Sequence, residues 1–268
     1  MYFLYADRLF SDVACFQAFG SVFHARFSIV SILLSIVISN DLFYNYEDTK
    51  TFLFGICLAS IWIGIMNSIL EVCKEKVILQ KEFMADLRLD AYLSSKVLFL
   101  CTISIIQSIL LILPFIFLID VPQTGVVIGW VFEMIIIQFV TIFSASVLGL
   151  LTSIIAKNPS SASSLPVFLA IPQMLFAGVI YPLDGAVEII SNFMISRWSI
   201  EAFGTTNDLN NLVSSVQEAI PGYVREIENY YTFTLKHWTN DLVIIGVMII
   251  VCLAISYFLL SKQLRSAK

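Results

Sequence analysis

Glu133 is the one ionisable side chain set well inside an apolar run, Val126 to Ala156. An acid there is a proton relay, a counter-charge for a cationic substrate, or a carboxyl close enough to the outer surface to reach water. No other residues have the spacing of a catalytic centre. The sequence contains no G-x-x-x-x-G-K-[ST] phosphate loop, no H-E-x-x-H and no G-x-S-x-G. Its two histidines, His24 and His237, are too far apart to suggest a metal site by themselves. The chain is therefore not expected to be an enzyme or to hydrolyse ATP alone, and it is expected to hold no cofactor and no metal.

The other chemically suggestive stretch is Glu71 to Lys96, a charged interval between two apolar runs. Lys74, Lys81 and Arg88 recur every seven residues and Glu82, Asp86 and Asp90 every four, so a helix here would carry separate basic and acidic stripes. Leu79, Phe83 and Leu87 give the same helix an apolar edge. Such a helix suits a protein partner, while a solvated face that meets nothing is the simpler alternative.

The elements that position these residues follow from composition. With 59% hydrophobic and 13% charged residues, against about 25% charged in soluble domains, the chain cannot hide its apolar surface in one core. It reads as an all-α integral membrane protein. Cys15, Cys57, Cys73, Cys101 and Cys252 lie in or beside apolar stretches and read as small buried hydrophobes.

Residues 1–18 place Phe3, Ala6, Phe10, Val13 and Phe16 on one helical face, as in an amphipathic helix lying in the membrane interface. Six spans are expected, because crossing the hydrocarbon layer takes about 20 apolar residues. They run Phe19–Ile38, Phe52–Leu70, Val97–Ile119, Val126–Ala156, about Ser163–Ile180 with interruptions at Pro166 and Pro172, and Leu242–Leu260. Asn67, in the second, needs a hydrogen-bond partner at that depth. Residues 182–200 read as a re-entrant or interfacial segment, and residues 201–241 as a small polar outer region. The division is thus 1–18, 19–180, 181–241 and 242–268, with the charged interval 71–96 inside the second unit. With both termini inside, the inner segments hold Arg8, Arg26, Lys74, Lys76, Lys81, Arg88, Lys96, Lys157, Lys262, Arg265 and Lys268, eleven of the fifteen basic residues. That bias puts the charged interval in the cytoplasm of a multi-pass protein of the inner (plasma) membrane.

The run Trp62-Ile63-Gly64, Asn67-Ser68, Glu71, Lys81-Glu82, Leu87-Arg88-Leu89, Ala91-Tyr92 and Ser95-Lys96 resembles the second span and coupling helix of ABC-2-type membrane domains, white-type (G-subfamily) exporters above all. Ile171 to Ile180, then Phe193 to Trp198 and Glu201-Ala202-Phe203, are similar to that family's fifth span, outer gate and re-entrant helices. The resemblance implies the permease half of a dimeric exporter, driven by a partner ABC ATPase subunit or domain that binds ATP and Mg, and set among membrane lipids with no nucleic acid. It assigns coupling to Arg8, Glu71, Lys81, Glu82, Asp86 and Arg88. It puts the substrate pathway at Trp62, Met66, Asn67, Phe168, Pro172, Gln173 and Phe176, and the outer gate at Val179 and Ile180. White-type proteins usually carry the ATPase ahead of the membrane domain, whereas this sequence starts at the interfacial helix, so either a separate subunit that supplies ATP hydrolysis or a processed or separately encoded half is expected. An apolar, aromatic pathway suits lipid-like, amphipathic or drug-like cargo. The rival readings are a proton- or ion-coupled secondary transporter using Glu133 and a non-transporting membrane scaffold.

Overall fold

A computed structural model describes residues 43, 45–84, 88–122, 124–181, 183–213 and 229–265. The expected interfacial helix at 1–18, the first span at 19–38, Arg8, Asp86 and Leu87 lie outside them.

The described residues form an all-α bundle: α1 (Tyr46–Ser68), α2 (Glu71–Met84), α3 (Leu89–Leu118), α4 (Trp130–Ile155), α5 (Pro159–Leu175), α6 (Ala186–Ser191), α7 (Ile195–Thr206) and α8 (Leu235–Arg265). Among them, four helical runs are long and apolar enough to cross a membrane: Tyr46–Met84, Leu89–Leu118, Trp130–Ile155 and Leu235–Arg265.

Helix α4 is the axis on which α1, α3, α7 and α8 pack. Its crossing with α1 rests on two glycines, because a Cβ at Gly64 would stand 2.6 Å from Ala145 Cβ and one at Gly149 2.8 Å from the Ile65 carbonyl. Between these glycines Ser68 donates to the Ser146 carbonyl at 2.5 Å. At the other end of α1, Phe52 meets the Phe115 ring edge-on at 5.0 Å, tying α3 to the same core.

Local signals account for the helix ends. Asn45 accepts from the Glu47 amide at 3.2 Å and starts α1. Asn158 accepts from the Ser161 amide at 2.7 Å with Pro159 in the first turn of α5, where a missing N–H costs nothing. Pro166 and Pro172, expected to interrupt this segment, lie inside one continuous helix. Beyond the end of α5 the chain turns at Gly178, whose φ of 81° is one that L side chains rarely adopt.

Two further limits differ from the hydropathy reading. Helix α3 starts at Leu89 rather than Val97, and α8 at Leu235 rather than Leu242. In both cases a polar first turn or two is packed against neighbours: Lys96, Trp238 and Asp241 are all buried. Glu201 to Thr206, read as the start of a polar outer region, continue α7 and are buried. Their polar neighbours are satisfied inside the bundle, Ser199 by Thr141 at 2.9 Å and Arg197 by Glu201 at 3.1 Å.

Candidate functional site

The charged interval is two helices, not one. Helix α2 closes at Met84, and Arg88 is the N-cap of α3, so the seven-residue spacing from Lys74 through Lys81 does not carry Arg88 onto the same stripe. Arg88 instead lies 3.7 Å from Asp90, with both side chains largely in solvent, a pair of little energetic consequence.

What anchors α2 is a set of contacts from α3 and α4. The first amides of a helix lack intrahelical acceptors. Here the Ser153 hydroxyl on α4 accepts from the Val72 and Cys73 amides at 3.1 and 3.0 Å. At the same junction Lys76 donates to the Ala156 carbonyl, one of the unpaired acceptors at the end of α4, at 3.3 Å. From α8, Gln263 donates to the neighbouring Ile154 carbonyl at 3.1 Å. Helices α2, α4 and α8 thus meet at one end of the bundle.

A charge network joins α2 to α3. The buried ammonium of Lys96 donates to Glu71 Oε2 at 3.2 Å and Glu75 Oε1 at 3.0 Å. Tyr92 donates to the other Glu75 oxygen at 3.0 Å, and Lys74 to the other Glu71 oxygen at 3.2 Å. Glu71 and Glu75 sit one turn apart on α2, as Tyr92 and Lys96 do on α3, so two i, i+4 pairs face each other. The apolar edge of α2 lies beside this network: Leu79 is fully buried and Phe83 packs on the cluster of Leu89, Tyr92, Leu150 and Leu260.

Among the described residues, the opposite face of α2 has no such cover. Lys74, Val77, Ile78, Lys81 and Met84 fall at i, i+3, i+4, i+7 and i+10, and all five are exposed. Two cations are thus interleaved with three apolar side chains on one exposed surface. Glu82 is half-buried beside it.

The residues assigned to a pathway divide. Trp62 and Met66 on α1 are exposed, as is Phe168 on α5 with Val167, Ile171 and Met174 beside it. Helices α1 and α5 pack on each other, and each carries exposed apolar side chains. Pro172 and Phe176 are half-buried. Asn67 has the partner its depth demands, exchanging hydrogen bonds with Gln107 on α3 at 2.7 and 3.1 Å. Gln173 is buried and spent on α7: its Oε1 accepts from the Ser196 amide at 2.9 Å and its carbonyl from the Ser196 hydroxyl at 2.5 Å. Of the two residues assigned to the gate, Val179 is half-buried against the core and Ile180 is exposed.

Glu133 is fully buried and its carboxylate is occupied. It accepts from the amides of Val126, Val127 and Ile128 at 2.9, 2.6 and 3.0 Å, holding the loop that leads into α4. A Cβ at Gly125 would stand 2.6 Å from its Oε1, so the loop closes on the acid. An anion in the first turn of a helix is also favoured by the helix dipole. This is structural work, and it leaves no oxygen of Glu133 without a donor.

On the far side of α7, Arg197 lies over the Trp198 and Tyr230 rings at 4.8 and 5.4 Å and is hydrogen-bonded to Ser191 and Glu201. Burial pushes the Glu201 carboxyl up, against the downward pull of the Arg197 guanidinium.

Set against known families, residues 2–206 match the model of the ABC-2 type transporter membrane domain. The chain belongs to that family. The match reaches from the N-terminus through α7 and so includes the α2 junction, the α1 and α5 face and the Glu133 loop. ABC-2 membrane domains are permease components without a catalytic centre. The chain is also similar to the ABC transporter ATP-binding/permease protein Rv1747 of Mycobacterium tuberculosis, 25% identical over 193 residues. That alignment covers 69% of this chain and 21% of the relative, so the chain spans about a fifth of that protein's length.

Proposed function

We propose that this chain forms half of the translocation pathway of an ATP-driven exporter of the white type, in the inner membrane with both termini cytoplasmic. An ABC ATPase subunit or domain binds ATP and Mg and docks on α2, and a second permease copy or homologous half faces α1 and α5. The observation that carries the reading is the uncovered Lys74, Val77, Ile78, Lys81 and Met84 face on a helix otherwise fastened to α3 and α4. A push on that face is transmitted through Ser153 and Lys96 to two long helices rather than dissipated in a loop. ATP then needs only to bind the two states of the bundle with different affinity.

The apolar, aromatic side of α1 and α5 suits lipid-like, amphipathic or drug-like cargo. Occupation of Glu133 by three amides weighs against the proton-coupled rival, which needs a titrating carboxyl. The test is transport of a fluorescent amphiphile by the reconstituted permease and ATPase. ATP hydrolysis should drive it and a proton gradient alone should not; movement driven by the gradient without ATP would reverse the assignment.

A further inference from the structure

At the opposite end of α8 from Gln263, three ligand-bearing side chains converge. Glu201 on α7 and His237 and Asp241 on the first turns of α8 each offer a ligand atom within 4.8 Å of the other two. Both Asp241 carboxylate oxygens are buried without a hydrogen-bond partner, and the residue is fully enclosed. An anion in that position is costly, so the carboxyl stays protonated unless a cation meets it. The nearest fixed cation, Arg197, is engaged with Glu201 at 3.1 Å, with Ser191 and Asn192, and with two aromatic rings. It pairs directly with Glu201 and acts on Asp241 only at longer range.

His237 is held as metal-binding histidines are held. Its Nε2 lies 2.6 Å from the Tyr230 carbonyl, which fixes the proton on that nitrogen and leaves the lone pair on Nδ1. We propose that Glu201, His237 and Asp241 bind a divalent transition-metal cation that clamps the start of α8 to α7. One imidazole with two carboxylates is a ligand set that suits zinc-like ions better than magnesium or calcium. Ligands about 2.1 Å from such an ion lie about 3.5 Å from one another, so the three side chains close by at most about 1.3 Å on binding. The chain's two histidines are too distant in sequence to signal such a site. Its members come from two helices that only the fold brings together.

Full-length protein in detergent is stripped with a chelator, dialysed against micromolar Zn²⁺, and assayed for bound metal by mass spectrometry. Cobalt is substituted as a second readout. One metal per chain is expected, with a visible cobalt band and a chelator-sensitive unfolding midpoint. Asp241→Asn, which keeps the side-chain volume, should weaken uptake about 100-fold or more, and His237→Gln should abolish the cobalt band. Wild-type protein that retains no zinc at micromolar free metal overturns the proposal, even if the variants do not fold. Equal uptake by Asp241→Asn and wild type overturns it as well.

Discussion

Lys96→Met retains most of the apolar stem and removes the charge at the α2–α3 junction. In the folded chain that ammonium is 4% exposed and sits between Glu71 and Glu75, which are 18% and 29% exposed. Removing one member of a fully buried ion pair costs about 3–5 kcal/mol, because the other charge is left behind. Two features reduce that here: both carboxylates reach some water, and Lys74 and Tyr92 keep one oxygen of each occupied. The remaining loss is about 2 kcal/mol, which for a chain of this size lowers the unfolding midpoint by about 4–8 °C. The assay is thermal unfolding of detergent-solubilised protein, followed by the fraction that still elutes as a monodisperse peak. Lys74→Met is the control, since Lys74 is 54% exposed and its removal should cost under about 1 kcal/mol. Adding Glu75→Gln to Lys96→Met should recover part of the loss, because it removes one of the stranded charges. A Lys96→Met midpoint within about 1 °C of wild type, or a Lys74→Met loss as large, would refute the network as the fastening of α2.

The remaining structural expectations concern the other contacts that position α1, α2 and α4. Ser153→Ala leaves the Val72 and Cys73 amides without their acceptor and should cost about 1–2 kcal/mol in the same assay. Gly64→Val drives a branched side chain into Ala145 and the α4 backbone and should lose about 3 kcal/mol or more, seen as a collapse in monodisperse yield. Glu133→Gln gives up the charged acceptor of the Val126–Ile128 loop and should lower stability by about 1.5–3 kcal/mol. Its ATP-driven transport should show no altered dependence on a proton gradient, whereas a variant of normal stability that lost gradient-driven transport would restore the relay reading.

Composition carried the class of the molecule, because no soluble fold buries so much apolar surface for so little charge. Periodicity carried the apolar edge of α2 at Leu79 and Phe83, and depth alone required a partner for Asn67, which is Gln107. The seven-residue charge spacing misled because it runs across a helix end: a register holds only within one helix, and α2 stops before Arg88. The burial of the end of α7 was illegible for a different reason. Its serines, threonines and Glu201 look solvated by type, yet each is buried, several with a partner on α4, α5 or within α7 itself. The Lys96 network was half legible, since Glu71 with Glu75 and Tyr92 with Lys96 each have i, i+4 spacing, but nothing local says that these two faces oppose each other. Ser153 carried no signal at all: a hydroxyl within an apolar helix that caps a different helix is visible only in three dimensions.

The central claim is that the exposed face of α2 is where an ATPase drives the bundle. The direct measurement is the amount and ATP-hydrolysis rate of the nucleotide-binding partner retained on gentle extraction, comparing wild type with Val77→Asp/Lys81→Glu. Both side chains are exposed, so the double variant should keep its unfolding midpoint while the partner is shed or its hydrolysis no longer responds to cargo. A double variant that holds the partner with unchanged, cargo-responsive ATPase activity would contradict the account.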